Sequence, residues 1–185
     1  MPYLAGPVSL ILLAALLMLL PPHYAELLQY QREAILHGQL WRLLSGDFLH
    51  TNAWHLAMNC GGVVAIAWLH GRYYDFFGWW LRVLYLALAS SVILLLAFPD
   101  LHWYLGLSGL LHGLIVIGAG EDIRRGEKTG YLLLLGVAAK VTWEQWHGPS
   151  AQIAALINAP VATQAHLAGA VAALPWLLHW KKQGA

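Results

Sequence analysis

The stretch Trp79–Phe98, WWLRVLYLALASSVILLLAF, sets the class of this protein. It runs twenty residues with a single charge, Arg82, near its start and no proline or glycine. A helix rising about 1.5 Å per residue needs about 20 mostly apolar residues to cross the roughly 30 Å hydrocarbon core of a bilayer. The rest of the chain agrees. Of its 185 residues, 59% are hydrophobic and only 10% charged, whereas a soluble domain carries roughly a quarter charged residues. So few charges cannot cover a water-facing surface. A net charge of +1 with no Lys/Arg cluster argues against a nucleic-acid partner. The single cysteine, Cys60, allows no internal disulfide.

Outward from that stretch, charge, proline and glycine mark off five more apolar runs: Leu4–Leu20, Ala53–Leu69, Leu105–Gly120, Tyr131–Trp146 and Val161–Trp180. The expectation is an all-α polytopic membrane protein, six spans with short connections forming one domain over residues 1–185. The first run is read as a retained span. No Lys or Arg precedes it, and Pro21-Pro22 follow where a leader would place a small-x-small cleavage site. The fourth run is short and is expected to begin below the membrane surface. The one long connection, Pro21 to Asn52, mixes Glu26, Arg32, Glu33, Arg42 and Asp47 with many apolar residues, which suits helical structure lying partly in the interface.

Positive charge sets direction. Arg124, Arg125 and Lys128 follow the fourth run, and Lys181 and Lys182 lie in the tail. The connections Pro99–Tyr104 and His147–Pro160 hold no Lys or Arg. The positive-inside rule then predicts cytoplasmic N- and C-termini, with Arg32 and Arg42 in the first connection as a mild dissent. In that topology the second, fourth and sixth spans all start at the outer face. Each carries polar groups near its start: His55 and Asn59, Ser108 and His112, and His166. Burying such groups without partners costs about 1–3 kcal/mol each, and inside membranes they face the bundle interior and mark function. A nucleophile, a base and oxyanion donors at one depth are the parts of a hydrolytic site.

Ser108 lies in Gly106-Leu107-Ser108-Gly109 at a helix start, where glycines admit a substrate closely and free amides can hold an oxyanion. Taken alone it also reads as an N-cap or a small packing residue. His166, followed by Gly169 and Ala173 at i+3 and i+7, is the candidate base. Gly109 and Gly113 supply a matching small-residue face, and if the two faces meet, His166 lies beside Ser108. A lone membrane histidine is equally a hydrogen-bonded structural group or a haem ligand. His55 and Asn59, four apart, share one helical face and can donate to an oxyanion, or simply clamp helices. Cys60 lies about a hundred degrees around from Asn59 and reads as packing.

These residues resemble the signature set of rhomboid intramembrane proteases: His50-x-x-x-x-His55-x-x-x-Asn59, Gly106-x-Ser108-Gly109 and Ala165-His166-x-x-Gly169, with Trp41-Arg42 similar to the Trp-Arg pair of that family's first loop. The set spans nearly the whole chain. The resemblance implies a six-helix rhomboid-like bundle, a Ser108–His166 dyad without an acidic third member, and an oxyanion hole from His55, Asn59 and the Ser108 backbone. It implies no cofactor and no metal. Two departures stand out: Ala173 replaces a second glycine, and His112 stands where bacterial rhomboids often carry an aromatic ring. The segment Gly106–Gly113 is similar to that of rhombosortases, compact bacterial relatives thought to process proteins with a C-terminal Gly-Gly-containing membrane anchor. That implies a bacterial inner-membrane location, membrane-anchored protein substrates and an active site opening to the extracytoplasmic side. Hydrolysis and transfer to an amine both stay open. Gly106, Gly109 and His112 would shape the substrate pocket.

His112 shares a face with Ser108 and reads as a support for His166, a recognition group or a second base. Lys140 and Glu144, four apart in the fifth span among Trp143 and Trp146, read either as an interfacial ion pair or as a polar feature where substrate arrives. His70, His102, His147 and His179 stand at span ends and are expected in the interface. Two other classes compete. A small bis-histidine haem protein could use two of His55, His112 and His166, but leaves Ser108 and Asn59 without a role. A transporter would use midplane polar groups, but no inverted repeat is visible. No His-Glu-x-x-His metalloprotease motif occurs.

Overall fold

The computed structural model describes residues 2–178. Four helices precede the first long connection's end: α1 (Ala5–Leu17), α2 (Pro22–Leu28), α3 (Arg32–Leu36) and α4 (Arg42–Ser45). Then come α5 (Ala53–His70), α6 (Phe76–Ala97), α7 (Ser108–Arg124), α8 (Thr129–His147), α9 (Ala151–Ile157), α10 (Thr163–Ala172) and α11 (Leu174–Leu178). The boundaries follow local chemistry. Asn52 caps α5 by accepting the His55 amide at 2.9 Å, and Asp75 caps α6 by accepting the Gly78 amide at 2.6 Å. Pro175 lacks an amide, so the last helical run breaks at Ala173 into α10 and α11. The end of the expected sixth span, His179 and the Lys181-Lys182 tail lie outside the described residues.

Helix α7 is the central element and packs against α5, α6, α8 and α10. It can be central because Gly109, Gly113, Gly118, Ala119 and Gly120 let neighbouring backbones close in. A Cβ on Gly169 of α10 would lie 1.9 Å from the Gly109 carbonyl oxygen, so α7 and α10 touch backbone to backbone. Helix α8 is peripheral: only its Gly130 and Val141 are buried. A Cβ on Gly130 would meet the Ala119 carbonyl at 2.3 Å, which ties the start of α8 to the end of α7.

Among the described residues one helix, Phe76–Ala97, is both long and apolar enough to cross a membrane unaided, and Ala5–Leu17 is apolar but shorter. The other long helices carry the polar residues that interrupted their hydropathy in the sequence. Outward-facing Leu12, Leu16, Trp68, Phe77, Leu81, Leu96, Leu132 and Trp146 leave the bundle with an apolar exterior, a face that water would not tolerate and lipid does.

The long connection is more ordered than an amphipathic interface segment. Arg42 is buried, and its guanidinium donates to the Glu26 and Gln29 carbonyls at 2.7 Å each and to Gln39 Oε1 at 2.7 Å. Trp41 donates from Nε1 to the Leu27 carbonyl at 3.0 Å. The Trp41-Arg42 pair therefore staples this loop to itself. A two-residue antiparallel ladder, β1 (Tyr30–Gln31) on β2 (Trp103–Tyr104), then joins the loop to the segment just before α7. His70 corrects the interface expectation. It is 1% exposed, with Nε2 3.3 Å from Asp122 Oδ2, because the buried Asp122 gathers His70, Tyr73 and Thr129 around itself at the far end of the bundle. His102 and His147 are exposed.

Candidate active site

The site starts from a backbone anomaly. Gly106 has φ +119°, a region that L-residues rarely adopt, and a Cβ there would sit 2.6 Å from His55 Nε2. No other residue fits. This glycine lets the chain turn sharply into α7, whose first residue is Ser108. The turn is held from both sides. The Gly106 amide donates to the Gly46 carbonyl at 3.1 Å, and the Tyr104 hydroxyl donates to the Gly106 carbonyl through a short bond.

Asp47 completes this support. It is 1% exposed, with Oδ1 3.1 Å from the Tyr104 hydroxyl oxygen and Oδ2 accepting from Ser91 Oγ at 3.5 Å. Tyr104 has one hydroxyl proton, and the Gly106 carbonyl can only accept it. Asp47 Oδ1 is the second acceptor facing that hydroxyl. Burial pushes its pKa up to about 8, in keeping with a neutral acid. Burial also holds Tyr104 well above the usual phenol range. Neither residue is marked by spacing in the sequence. Only their convergence from two loops gives them a role.

At the start of α7, Ser108 Oγ lies 3.0 Å from His166 Nε2 on α10. Gly109, Gly113 and Gly169 make that distance possible by bringing α7 and α10 into contact. The other ring nitrogen, His166 Nδ1, lies 2.7 Å from Glu144 Oε2 on α8. Glu144 Oε1 accepts from Lys140 Nζ at 2.6 Å. A carboxylate thus stands where the family resemblance implied none. His112 stacks on His166, ring centroids 4.3 Å apart at 18°, and its Nδ1 reaches the Ser108 carbonyl at 2.7 Å. Stacked face to face, these two imidazoles aim their nitrogens along parallel planes. They cannot be opposed axial ligands of one haem. With Glu144 they form a group of possible metal ligands, but one ion could take both rings only after the stack rotated apart.

His55 and Asn59 project from α5 toward the same turn. His55 Nδ1 accepts from the Thr51 amide at 3.4 Å and lies 3.1 Å from Thr51 Oγ1, which itself donates to the Ile157 carbonyl at 2.6 Å. The Cβ position of Gly106 is 3.7 Å from Asn59 Nδ2. That amide nitrogen is buried and has no hydrogen-bond partner among the described residues, an orphaned donor beside the nucleophile candidate. His50 packs edge-on against His55 at 5.0 Å, and burial lowers its pKa to about 3. It is a neutral prop. Cys60 is half-buried and free.

Two cavities meet at Ser108 and His55. One, of about 270 Å³, opens past Trp103, Thr51 and Val161. The larger, of about 610 Å³, lies between α5 and α8 and is walled by Met58, Leu111, Leu132, Val137, Lys140 and Glu144. It reaches Ser108 and His166 through the gap between α5 and α8.

No curated protein sequence matches the chain. A family profile described as the Rhomboid domain matches residues 37–181, most of the sequence and every residue of the site just described. The chain therefore belongs to the rhomboid family of integral-membrane proteases, whose substrates are membrane proteins.

Proposed function

We propose that this protein is an active intramembrane serine endopeptidase with Ser108 as nucleophile and His166 as general base. The observation that carries the reading is the 3.0 Å approach of His166 Nε2 to Ser108 Oγ at the start of a helix. Ser108 Oγ attacks the scissile carbonyl carbon while its proton passes to His166 Nε2. The carbonyl π pair moves onto oxygen and is held by the Ser108 amide at the α7 N-terminus and by donors from His55 and Asn59. The orphaned Asn59 Nδ2 supports that role. Collapse of the adduct breaks the C–N bond, and the leaving amine takes the proton from His166. Water then releases the acyl group by the same steps in reverse. An amine in place of water would make the reaction a transfer.

The six-span topology belongs to this reading, with both termini cytoplasmic and Ser108 opening toward the outer face. So does the rhombosortase assignment, with a bacterial inner-membrane location. A peptide bond inside a continuous helix is shielded, so the substrate must unwind, and glycine costs a helix about 1 kcal/mol relative to alanine. Two glycines would also pass Gly106, Gly109 and His112 without side-chain clashes. Cleavage is expected at or beside a Gly-Gly step preceding a C-terminal transmembrane anchor. The test is mass spectrometry of the new C-terminus of a co-expressed reporter carrying such an anchor. Ser108→Ala and His166→Ala should each abolish processing, and replacing both glycines by Val should block it. Normal cleavage by either mutant overturns the protease mechanism. Equal cutting of the Val version overturns only the Gly-Gly specificity.

A further inference from the structure

We infer that Glu144 completes a Ser108–His166–Glu144 relay as a positioning residue acting through His166. The inference rests on the roles of Ser108 and His166 given above and adds a member that those roles do not require.

Glu144 divides its two oxygens between two partners. Oε2 lies 2.7 Å from His166 Nδ1, and Oε1 lies 2.6 Å from Lys140 Nζ. An ionised carboxylate can only accept, so it holds the mobile imidazole proton on Nδ1. Nε2 is then left with its lone pair facing the Ser108 hydroxyl at 3.0 Å. The opposite tautomer would point Nε2–H at Oγ and could not take the serine proton. Among the described residues no other group bonds to His166 Nδ1. His112 covers the ring face, but its own Nδ1 is engaged with the Ser108 carbonyl at 2.7 Å. The His166 side chain is 6% exposed and that of Glu144 17%, so water does not supply the missing acceptor freely.

Glu144 has a second effect once the reaction starts. When Ser108 gives up its proton, His166 becomes an imidazolium inside the bundle, and the carboxylate against Nδ1 stabilises that charge. The carboxylate receives no proton itself. Lys140, half exposed at the mouth of the cavity, anchors the other oxygen and keeps the carboxylate from turning away. Glu144 stands on α8, the outer wall of the larger cavity.

The competing reading of Glu144 is a structural ion pair with Lys140, and the two readings part experimentally. The full-length protein in detergent is labelled with a fluorophosphonate probe at several concentrations, giving a maximal labelling rate and a half-saturation constant. Glu144→Gln and Glu144→Ala are expected to lower the maximal rate by about 10²–10⁴-fold while leaving half-saturation within about threefold. Glu144→Asp should restore about tenfold or more of that loss. Lys140→Met, which removes the ion pair but leaves the Glu144–His166 contact, should lose at least about tenfold less than Glu144→Gln. Proton NMR of the unmodified protein adds a readout independent of folding in the variants. A far-downfield imidazole N–H, held against the carboxylate, should be present and should vanish in Glu144→Gln. Labelling of Glu144→Gln at near wild-type rate, an equal loss in Lys140→Met, or absence of the downfield proton each overturns the inference. A wild-type protein whose labelling does not depend on Ser108 would instead remove the protease reading itself.

Discussion

Among the site's glycines, Gly169 leaves the least room for a side chain, and a single methyl group tests its role. A Cβ added at Gly169 would fall 1.9 Å from the Gly109 carbonyl oxygen and 2.5 Å from its carbon. Ordinary carbon–oxygen contact across helices begins near 3.3 Å, so Gly169→Ala forces α10 away from α7 by about 1.4 Å. The obstacle is backbone on both sides, and no rotamer change relieves it. His166 lies one turn earlier on the same helix, 3.0 Å from Ser108 Oγ. A displacement of that size carries the pair beyond hydrogen-bond range. Misplacing reacting groups by about 1 Å can cost roughly 10²-fold in rate, so labelling of Ser108 by a fluorophosphonate should slow by about that factor. Thermal stability in detergent should fall as well, although alanine is the better helix former by about 1 kcal/mol. Gly61 on α5 supplies the control, since a Cβ there meets nothing within 4 Å. Gly61→Ala should keep full labelling and gain slightly in stability. Wild-type labelling by Gly169→Ala would refute the claim that this glycine contact sets the Ser108–His166 distance.

Three further outcomes are expected. Asn59→Ala and His55→Ala should each lower turnover by roughly tenfold to a thousandfold, and a rate unchanged within twofold for both would reduce them to helix clamps. His112→Phe preserves a ring over His166 and should retain partial activity, whereas complete loss in a reporter-cleavage assay would give His112 a catalytic part. Asp47 should impose a pH dependence on stability. Its folded pKa of about 8 exceeds the unfolded carboxyl's by several units, so the folded state binds the proton more tightly. That stabilisation is fully present below about pH 4 and is lost as pH rises toward 8, at about 1.4 kcal/mol per pH unit. Asp47→Asn removes the titrating carboxyl and should flatten the melting-temperature profile between pH 5 and 8. A profile identical to wild type would mean that Asp47 is already ionised.

Much of this protein is legible in one dimension, for a physical reason. Hydropathy is a local property, so Trp79–Phe98 declared the membrane and its edges moved only to Phe76–Ala97 in the structure. Small-residue spacing is also local. Gly109, Gly113 and Gly169 could be matched as facing stripes because close helix contact demands small residues at fixed intervals. The polar residues of α5, α7 and α10 stood out against apolar surroundings for the same reason. Other features needed the fold. Lys140 and Glu144 read either as an ion pair, whose i,i+4 spacing satisfies both charges within one helix, or as a polar feature where substrate arrives. Only the lean of α8 over α10 brings Glu144 Oε2 to His166. Asp47 and Tyr104 are separated by 57 positions and carry no motif. Their meeting depends on the β1–β2 ladder drawing the first loop onto the turn before α7. His70 looked interfacial because a histidine ending an apolar run usually is, whereas Asp122 from another helix holds it inside. Local composition determined which residues had to avoid lipid. Tertiary packing alone decided which of them became partners, because a hydrogen bond is satisfied by proximity in space.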